Sequence, residues 1–258
     1  MKQYSQPVRM LILLTLTVTS LTFTIPLAKA ESSPGIVERI RRVFFPPKGK
    51  DRGAPNVGRT RGGASRGRCP YIREELIALV PNRPDTGLGF VEQTISDYPT
   101  FRFYVPYQPR QGLRTEFVLI DTNENIIDEK TVELESTPGI ISVKLSQTKP
   151  PLQTGEKYRW VFSVQCNQEN RSGDVTVNGW IKRISTSDKL DDALAKMPEQ
   201  EQYLVYGENL LWYDMMDKLT NLRQRYPNDE EIQQTWEGIL SDIVGLDDQA
   251  IAESSDSY

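Results

Sequence analysis

Between residues 75 and 184 the chain carries seven short apolar runs separated by turn-forming residues, and this alternation restricts the fold more than any other feature. The runs are ELIALVP (75–81), FRFYVPY (101–107), TEFVLID (115–121), NIIDEKTVEL (125–134), GIISVKL (139–145), EKYRWVFSVQC (156–166) and DVTVNGWIKRI (174–184), with a weaker one near 90–96. Pro84-Asp85, Gly112, residues 121–125, Pro138-Gly139, Pro150-Pro151 and residues 170–173 stand between them. Seven or eight short strands at this spacing predict an all-β sandwich or barrel. Alternation of period two supports strands: Tyr158, Trp160, Phe162 and Val164 share one face, and Cys166 continues their parity toward the core. Phe101, Phe103 and Val105 likewise share a face, with Arg102 and Tyr104 opposite, and Ile141, Val143 and Leu145 form a third set. In 174–184 the parity slips between Val175/Val177 and Trp180/Ile184, so Gly179 at the slip reads as a bulge. The expected class is mainly β: an immunoglobulin-like or related antiparallel β-sandwich over residues 69–185. It is not a true immunoglobulin pattern, because Trp160 lies just before the second cysteine rather than after the first.

From Ser187 onward the period changes to that of helices. TSDKLDDALAKM reads as a helix with a Ser or Asp cap. Residues 198–226 place Leu211, Met215, Leu219, Leu222 and Tyr226 on one stripe, with Gly207 kinking or dividing the helix. Asn228 and Glu231 form a capping-box-like pair ahead of a last stripe, Ile232, Trp236, Ile239, Leu240 and Ile243, which Gly245 closes. A lone helix pair buries little, so the region 186–245 is expected to dock on the sandwich as a C-terminal helical appendage. Residues 246–258 read as an acidic disordered tail.

The first thirty residues have the three parts of a secretory signal peptide. Lys2 and Arg9 precede an apolar stretch, MLILLTLTVTSLTFTI, and Ala28-Lys29-Ala30 forms an A-x-A cleavage site. The apolar stretch is short for a membrane span, which needs about 20 residues. The alternative is an uncleaved N-terminal anchor. Export to a periplasm or cell surface is the expectation. Cleavage would leave 28 basic and 35 acidic residues, a net charge of −7. Residues 31–68 hold ten basic and three acidic residues, and residues 186–258 hold five basic and 17 acidic. A basic arm thus precedes an acidic body.

That arm begins with SPGIVERIRRVFF, which would form a short amphipathic helix capped by Ser33 with Pro34 at its first position. Ile36, Ile40 and Val43/Phe44 fall on one face, and Arg39, Arg41 and Arg42 on another. The helix could lie on an anionic membrane surface, form only transiently, or make an apolar contact with the body. The remainder of 31–68 is rich in Pro, Gly and Arg and reads as disordered. It ends in GRTRGGASRGRC, whose Arg59, Arg61, Arg66 and Arg68 make a candidate anion-binding arm. The readings are a solvated linker, an arm for an anionic glycan or lipid surface, or a segment that folds back on the acidic helices. Nucleic acid is not expected, since no aromatics are interleaved to stack on bases.

Cys69 and Cys166 are the only cysteines, and in an oxidising compartment they are expected to form one disulfide. The chain has no histidine, which excludes a Ser-His-Asp triad, a Cys-His pair and any His-containing zinc site. No nucleophile elbow or phosphate loop is present, so no catalytic residue, cofactor or metal is assigned. DTNEN (121–125) begins like a calcium loop but has Ile126 where glycine is required and Val132 at the final Glu position, so it reads as a polar turn. Glu74, Glu75, Glu116 and Asp121 are candidates for a carboxylate pair of the kind that hydrolyses glycosides. Tyr104 and Tyr107 would bind sugar if exposed, or pack beneath the C-terminal helices if not. Asn170-Arg171-Ser172 matches a glycosylation sequon.

RGGASRGRC followed by LIALVP, PTFRFYVPY, EFVLID, PGIISVKL, PLQTGEKYRWVFSV, VNGWIKRI and LLWYDMMDKLTNLR, in that order, resembles the exported cyanobacterial family known as domain of unknown function 928, over residues 58–245. The resemblance implies export and supplies no activity or catalytic residues. The function expected is therefore a non-enzymatic cell-envelope module that binds an envelope protein or serves structurally. Carboxylate-based glycan binding or hydrolysis is the alternative. Oligomeric state is left open.

Overall fold

The computed structural model describes residues 33–45, 58–62, 69, 72–82, 91–109, 113–134, 137–167 and 169–255. The signal-peptide segment, Arg66, Arg68, the Pro84-Asp85 turn and Gly112 lie outside the described residues. Helix α1 (Ser33–Phe44) comes first, and eight strands follow: β1 (Ile77–Ala78), β2 (Val91–Thr94), β3 (Thr100–Val105), β4 (Arg114–Asp121), β5 (Ile126–Val132), β6 (Gly139–Lys144), β7 (Lys157–Gln165) and β8 (Val175–Arg183). Five helices close the chain: α2 (Asp188–Lys196), α3 (Gln202–Glu208), α4 (Trp212–Arg225), α5 (Glu230–Ile239), which runs into a π-turn at Leu240–Val244, and α6 (Asp248–Ser255).

The strands form two sheets, a three-stranded one in the order β1-β3-β6 and a five-stranded one in the order β2-β8-β7-β4-β5. Their inner faces meet through rings. Phe103 of β3 stacks on Phe162 of β7 with centroids 4.2 Å apart, and Phe101 lies 4.8 Å from Phe117 of β4. Burying four large aromatic side chains contributes on the order of 2 kcal/mol each.

Three expectations are corrected at this level. The protein is mixed α/β rather than mainly β, because residues 31–258 form one compact unit and every residue of β3 is buried. One face of β3 meets the other sheet, and the opposite face, Thr100, Arg102 and Tyr104, is covered by helices α4 and α6. The C-terminal helices dock on the sheets as expected and form a third layer. The sheets are also not wholly antiparallel, since β2 pairs with β8 in parallel. Finally, β8 has no bulge: it pairs with β7 in unbroken register from Lys157↔Lys182 to Val164↔Val175. Gly179 continues the inward face, opposite Trp160, and a Cβ there would lie 2.3 Å from Trp160 Cζ2. Its missing side chain makes room for the indole.

The helix boundaries follow local chemistry. Ser187 caps α2 by accepting from the Leu190 N–H. The expected helical segment 198–226 is divided not at Gly207, which lies within α3, but at 209–211, where Leu210 has φ 64°. The cap of α5 is Asp229, one residue after the expected Asn228, with Oδ1 accepting from Glu231 and Ile232. Gly245, at φ 79°, closes the π-turn in the left-handed region that glycine tolerates. The expected tail is instead helix α6 up to Ser255, with Ala250 and Ser254 buried; residues 256–258 lie outside the described residues.

Candidate functional site

The described part of the basic arm, residues 58–62, has a structural role. Arg59 O accepts from the Asn178 N–H of β8, while Thr60 O accepts from Ala78 and the Gly62 N–H donates to Leu76 O beside β1. Five residues thus strap the two sheets together. Arg61 turns inward: its guanidinium donates to Gly245 O at the end of the π-turn and pairs with Glu75 at 3.4 Å. A cation at a helix C-terminus satisfies orphan carbonyls and complements the helix dipole. Of the three readings of the arm, residue 61 takes the third, a return to the acidic helices. Arg59 is exposed.

The disulfide is present. Cys69 and Cys166 are bonded with Cα atoms 5.1 Å apart and a sequence separation of 97. Cys166 follows directly on β7 and packs, half-buried, against the core.

Three of the four carboxylates singled out in the sequence are engaged by partners within the chain. Glu116 accepts a 2.6 Å bond from Arg171, and Glu75 is held by Arg61. Asp121 is held by its own turn, where it accepts from the Asn125 side chain and the Asn123 and Asn125 N–H groups. Those bonds, the Asn125 side chain first, keep its carboxyl below the usual range. Residues 121–125 are thus the expected polar turn. Glu74 raises the pKa of Tyr104 through its charge but acts less than burial and Glu253. Tyr104 and Tyr107 are buried, so the sugar-binding reading of these rings falls and the packed face stands. Asn170 uses its Oδ1 to accept from the Ser172 N–H and hydroxyl, opening a short 3₁₀ turn.

A polar seam that sequence reasoning missed lies where the chain crosses from β2 to β3. Asp214 of α4 accepts from the Ile95 N–H at 3.2 Å. One turn later, Asp217 accepts from the Thr100 hydroxyl at 3.2 Å and faces Arg102 Nη1 at 2.6 Å. Burial pushes the Asp214 carboxyl up to about 6, against the opposing pull of the Thr94 and Ile95 hydrogen bonds, and the charge of Asp217 adds to the rise. Deeper in, the Tyr213 hydroxyl is fully buried, and desolvation raises its pKa well above the ordinary range. The available signal was the pair of aspartates at i, i+3 on a helix whose remaining positions, 211–222, are mostly apolar. Among the described residues no three His, Cys, Asp or Glu side chains gather as a metal site, and no helix is long and apolar enough to cross a membrane.

The outer face of the five-stranded sheet is the remaining surface of interest. In register across it run Ile126, Ile120, Arg159, Trp180 and Val91. A second row holds Glu129, Val118, Val161 and Asn178. Ile126 is 61 % exposed, and Val91, Val118, Ile120, Val161 and Trp180 are half-buried. A solvated sheet face ordinarily carries polar residues at these positions.

Two facing sheets under a helical layer, strapped by residues 58–62 and closed by one disulfide, define a mixed α/β protein whose candidate catalytic carboxylates are largely held by its own side chains and turns. The family model described as Domain of Unknown Function (DUF928) matches residues 61–255, and the chain belongs to that family. The comparison with curated proteins found no match.

Proposed function

We propose that the protein is an exported, non-enzymatic module of the cell envelope that binds another protein through the outer face of its five-stranded sheet. In this reading the facing sheets serve as an immunoglobulin-like or related β-sandwich scaffold. The observation that carries the proposal is the aliphatic and aromatic content of that face, with exposed Ile126 at one edge and Val91 at the other. Contiguous apolar surface on a soluble domain marks a contact site more often than chance. The signal-peptide pattern at residues 1–30 and the Cys69–Cys166 bond support an oxidising destination. The test is capture from an envelope fraction with the immobilised full mature chain. One defined partner should be retained by the native protein and lost with Val118→Lys and with Val161→Lys. Capture of no defined partner, or its retention by both variants, sinks the proposal.

One observation favours a second reading, carboxylate-based glycan binding or hydrolysis. Asp214 and Asp217 sit three residues apart in unlike surroundings, one raised to about 6 and the other facing Arg102. Divergent environments of this kind separate an acid from a base. Sugar release from envelope polysaccharide that Asp214→Asn abolishes would select this reading, and no release would remove it.

A further inference from the structure

Helix α1 lies outside the family-matched region, which begins at residue 61, yet it completes the core. Ile36, Val37, Ile40 and Phe44 are all buried, the last two fully. They occupy positions i, i+1, i+4 and i+8, a stripe along one face of a helix. What receives them is helical: α5 and α3, with the π-turn at 240–244 behind. The floor of this groove is built from two glycines. A Cβ on Gly238 would lie 2.7 Å from Val37 Cγ2, and one on Gly207 would lie 3.5 Å from Ile40 Cγ1. The rim carries Glu208, which pairs with Arg39 and fixes the direction in which the helix lies. At the deep end the ring of Phe44 meets Trp212 edge-on with centroids 5.1 Å apart. The polar side of α1 keeps Arg41 and Arg42 in solvent, both paired with Glu38.

Residues 46–57, PPKGKDRGAPNV, connect α1 to the strap. Thirteen Cα steps from Phe45 to Gly58 span at most about 45 Å. A connection of that contour length would keep a released α1 near the groove at high effective concentration.

We propose that the groove formed by α3, α5 and the π-turn is a docking site for a basic amphipathic helix, and that α1 is its tethered, displaceable ligand. The site selects apolar side chains at i, i+1, i+4 and i+8, with an arginine at i+3 facing Glu208. This is helix-in-groove recognition, in which spaced apolar anchors give affinity and a rim charge gives polarity. The inference is independent of the outer sheet face.

The test uses the full mature chain with a protease site inserted in 46–57. After cleavage, the α1 fragment should remain bound without a covalent link. A labelled peptide of residues 33–45 should then displace it saturably, while near-UV circular dichroism stays native. Removal of the fragment by dilution should shift Trp fluorescence to the red as Trp212 loses Phe44, and peptide should reverse the shift. Glu208→Arg should weaken the peptide by about fivefold, as expected for reversing one exposed ion pair, and a peptide carrying Arg39→Glu should regain that loss. Gly238→Val should block binding sterically, and Glu208→Arg serves as the variant that leaves the fold intact. If excess peptide displaces none of the fragment over a day, α1 is an integral core helix and the proposal fails. It fails equally if the cleaved chain unfolds and peptide does not restore it. Release by phosphatidylglycerol vesicles but not by peptide would also overturn it, by assigning α1 to a lipid surface.

Discussion

At the scale of single residues, Asp214 sets a pH dependence that can be read from its surroundings. Its carboxyl titrates near 6 in the folded protein against an ordinary value near 4 in the unfolded chain. The folded state therefore binds the extra proton between those values, and stability falls as pH rises through that window. Above pH 6 the loss is complete and the contribution is flat. Asp214→Asn keeps an acceptor for the Ile95 N–H and removes the charge. It should raise the unfolding free energy at pH 7.5 by about 2 kcal/mol, with the gain vanishing toward pH 4. Urea unfolding of both proteins across pH 4–8 checks this, and parallel pH profiles would refute it. Arg61 shows a different residue-scale logic. Its partner Gly245 is 184 residues away, and no local pattern announces such a contact.

At the scale of elements, most strands were legible because buried residues alternate along them with more exposed ones. The alternation in β7 places Tyr158, Trp160, Phe162 and Val164 inward as the sequence reads, while in β8 the continuous inward face of Val175, Val177, Gly179 and Ile181 replaces the expected slip. Two helices were harder to see as parts of the body. Helix α1 sits in a basic, Pro/Gly-rich stretch, and only the groove made by α3 and α5 gives its apolar face a place. Helix α6 offers few large apolar side chains; it seats Ala250 and Ser254, and Glu253 accepts from the Tyr104 hydroxyl. Its fit depends on the flat outer side of β3 and β6, which the tail's composition does not reveal. Truncation after Leu246 should uncover Tyr104 and cost about 2 kcal/mol in urea unfolding. It should also return one tyrosine to ordinary alkaline titration, since burial and Glu253 hold Tyr104 above its usual range. An unchanged tyrosine titration would show that α6 does not cover that face. The seam at Asp214 was missed for a related reason: an aspartate on an amphipathic helix looks solvated until β2 and β3 are packed against it.

At the scale of the whole molecule, the Cys69–Cys166 bond encloses β1 through β7 in one covalent loop of 97 residues' separation. Closing a loop of this length restricts the unfolded chain. Reduction should therefore lower the unfolding free energy by about 5 kcal/mol in the chain-entropy model. Equilibrium urea unfolding with and without reductant measures it, and equal midpoints would mean that the strap and the sheets already supply the constraint.

The strand order has a further consequence, for timing. Among the described residues β2 has one strand neighbour, β8, which lies between it and β7. A chain made or threaded N-terminus first presents β2 more than 80 residues before that neighbour exists. Helix α1 waits longer still, since its groove includes Gly238. The early part of the chain consequently has nothing native to fold against, and long-range closure of this kind is slow. Strands β3 to β6 can pair among themselves earlier, but β2 and α1 gain their native neighbours only when the last third of the chain is present. Under the proposed export, that delay would suit a chain threaded through a narrow translocation channel before it folds.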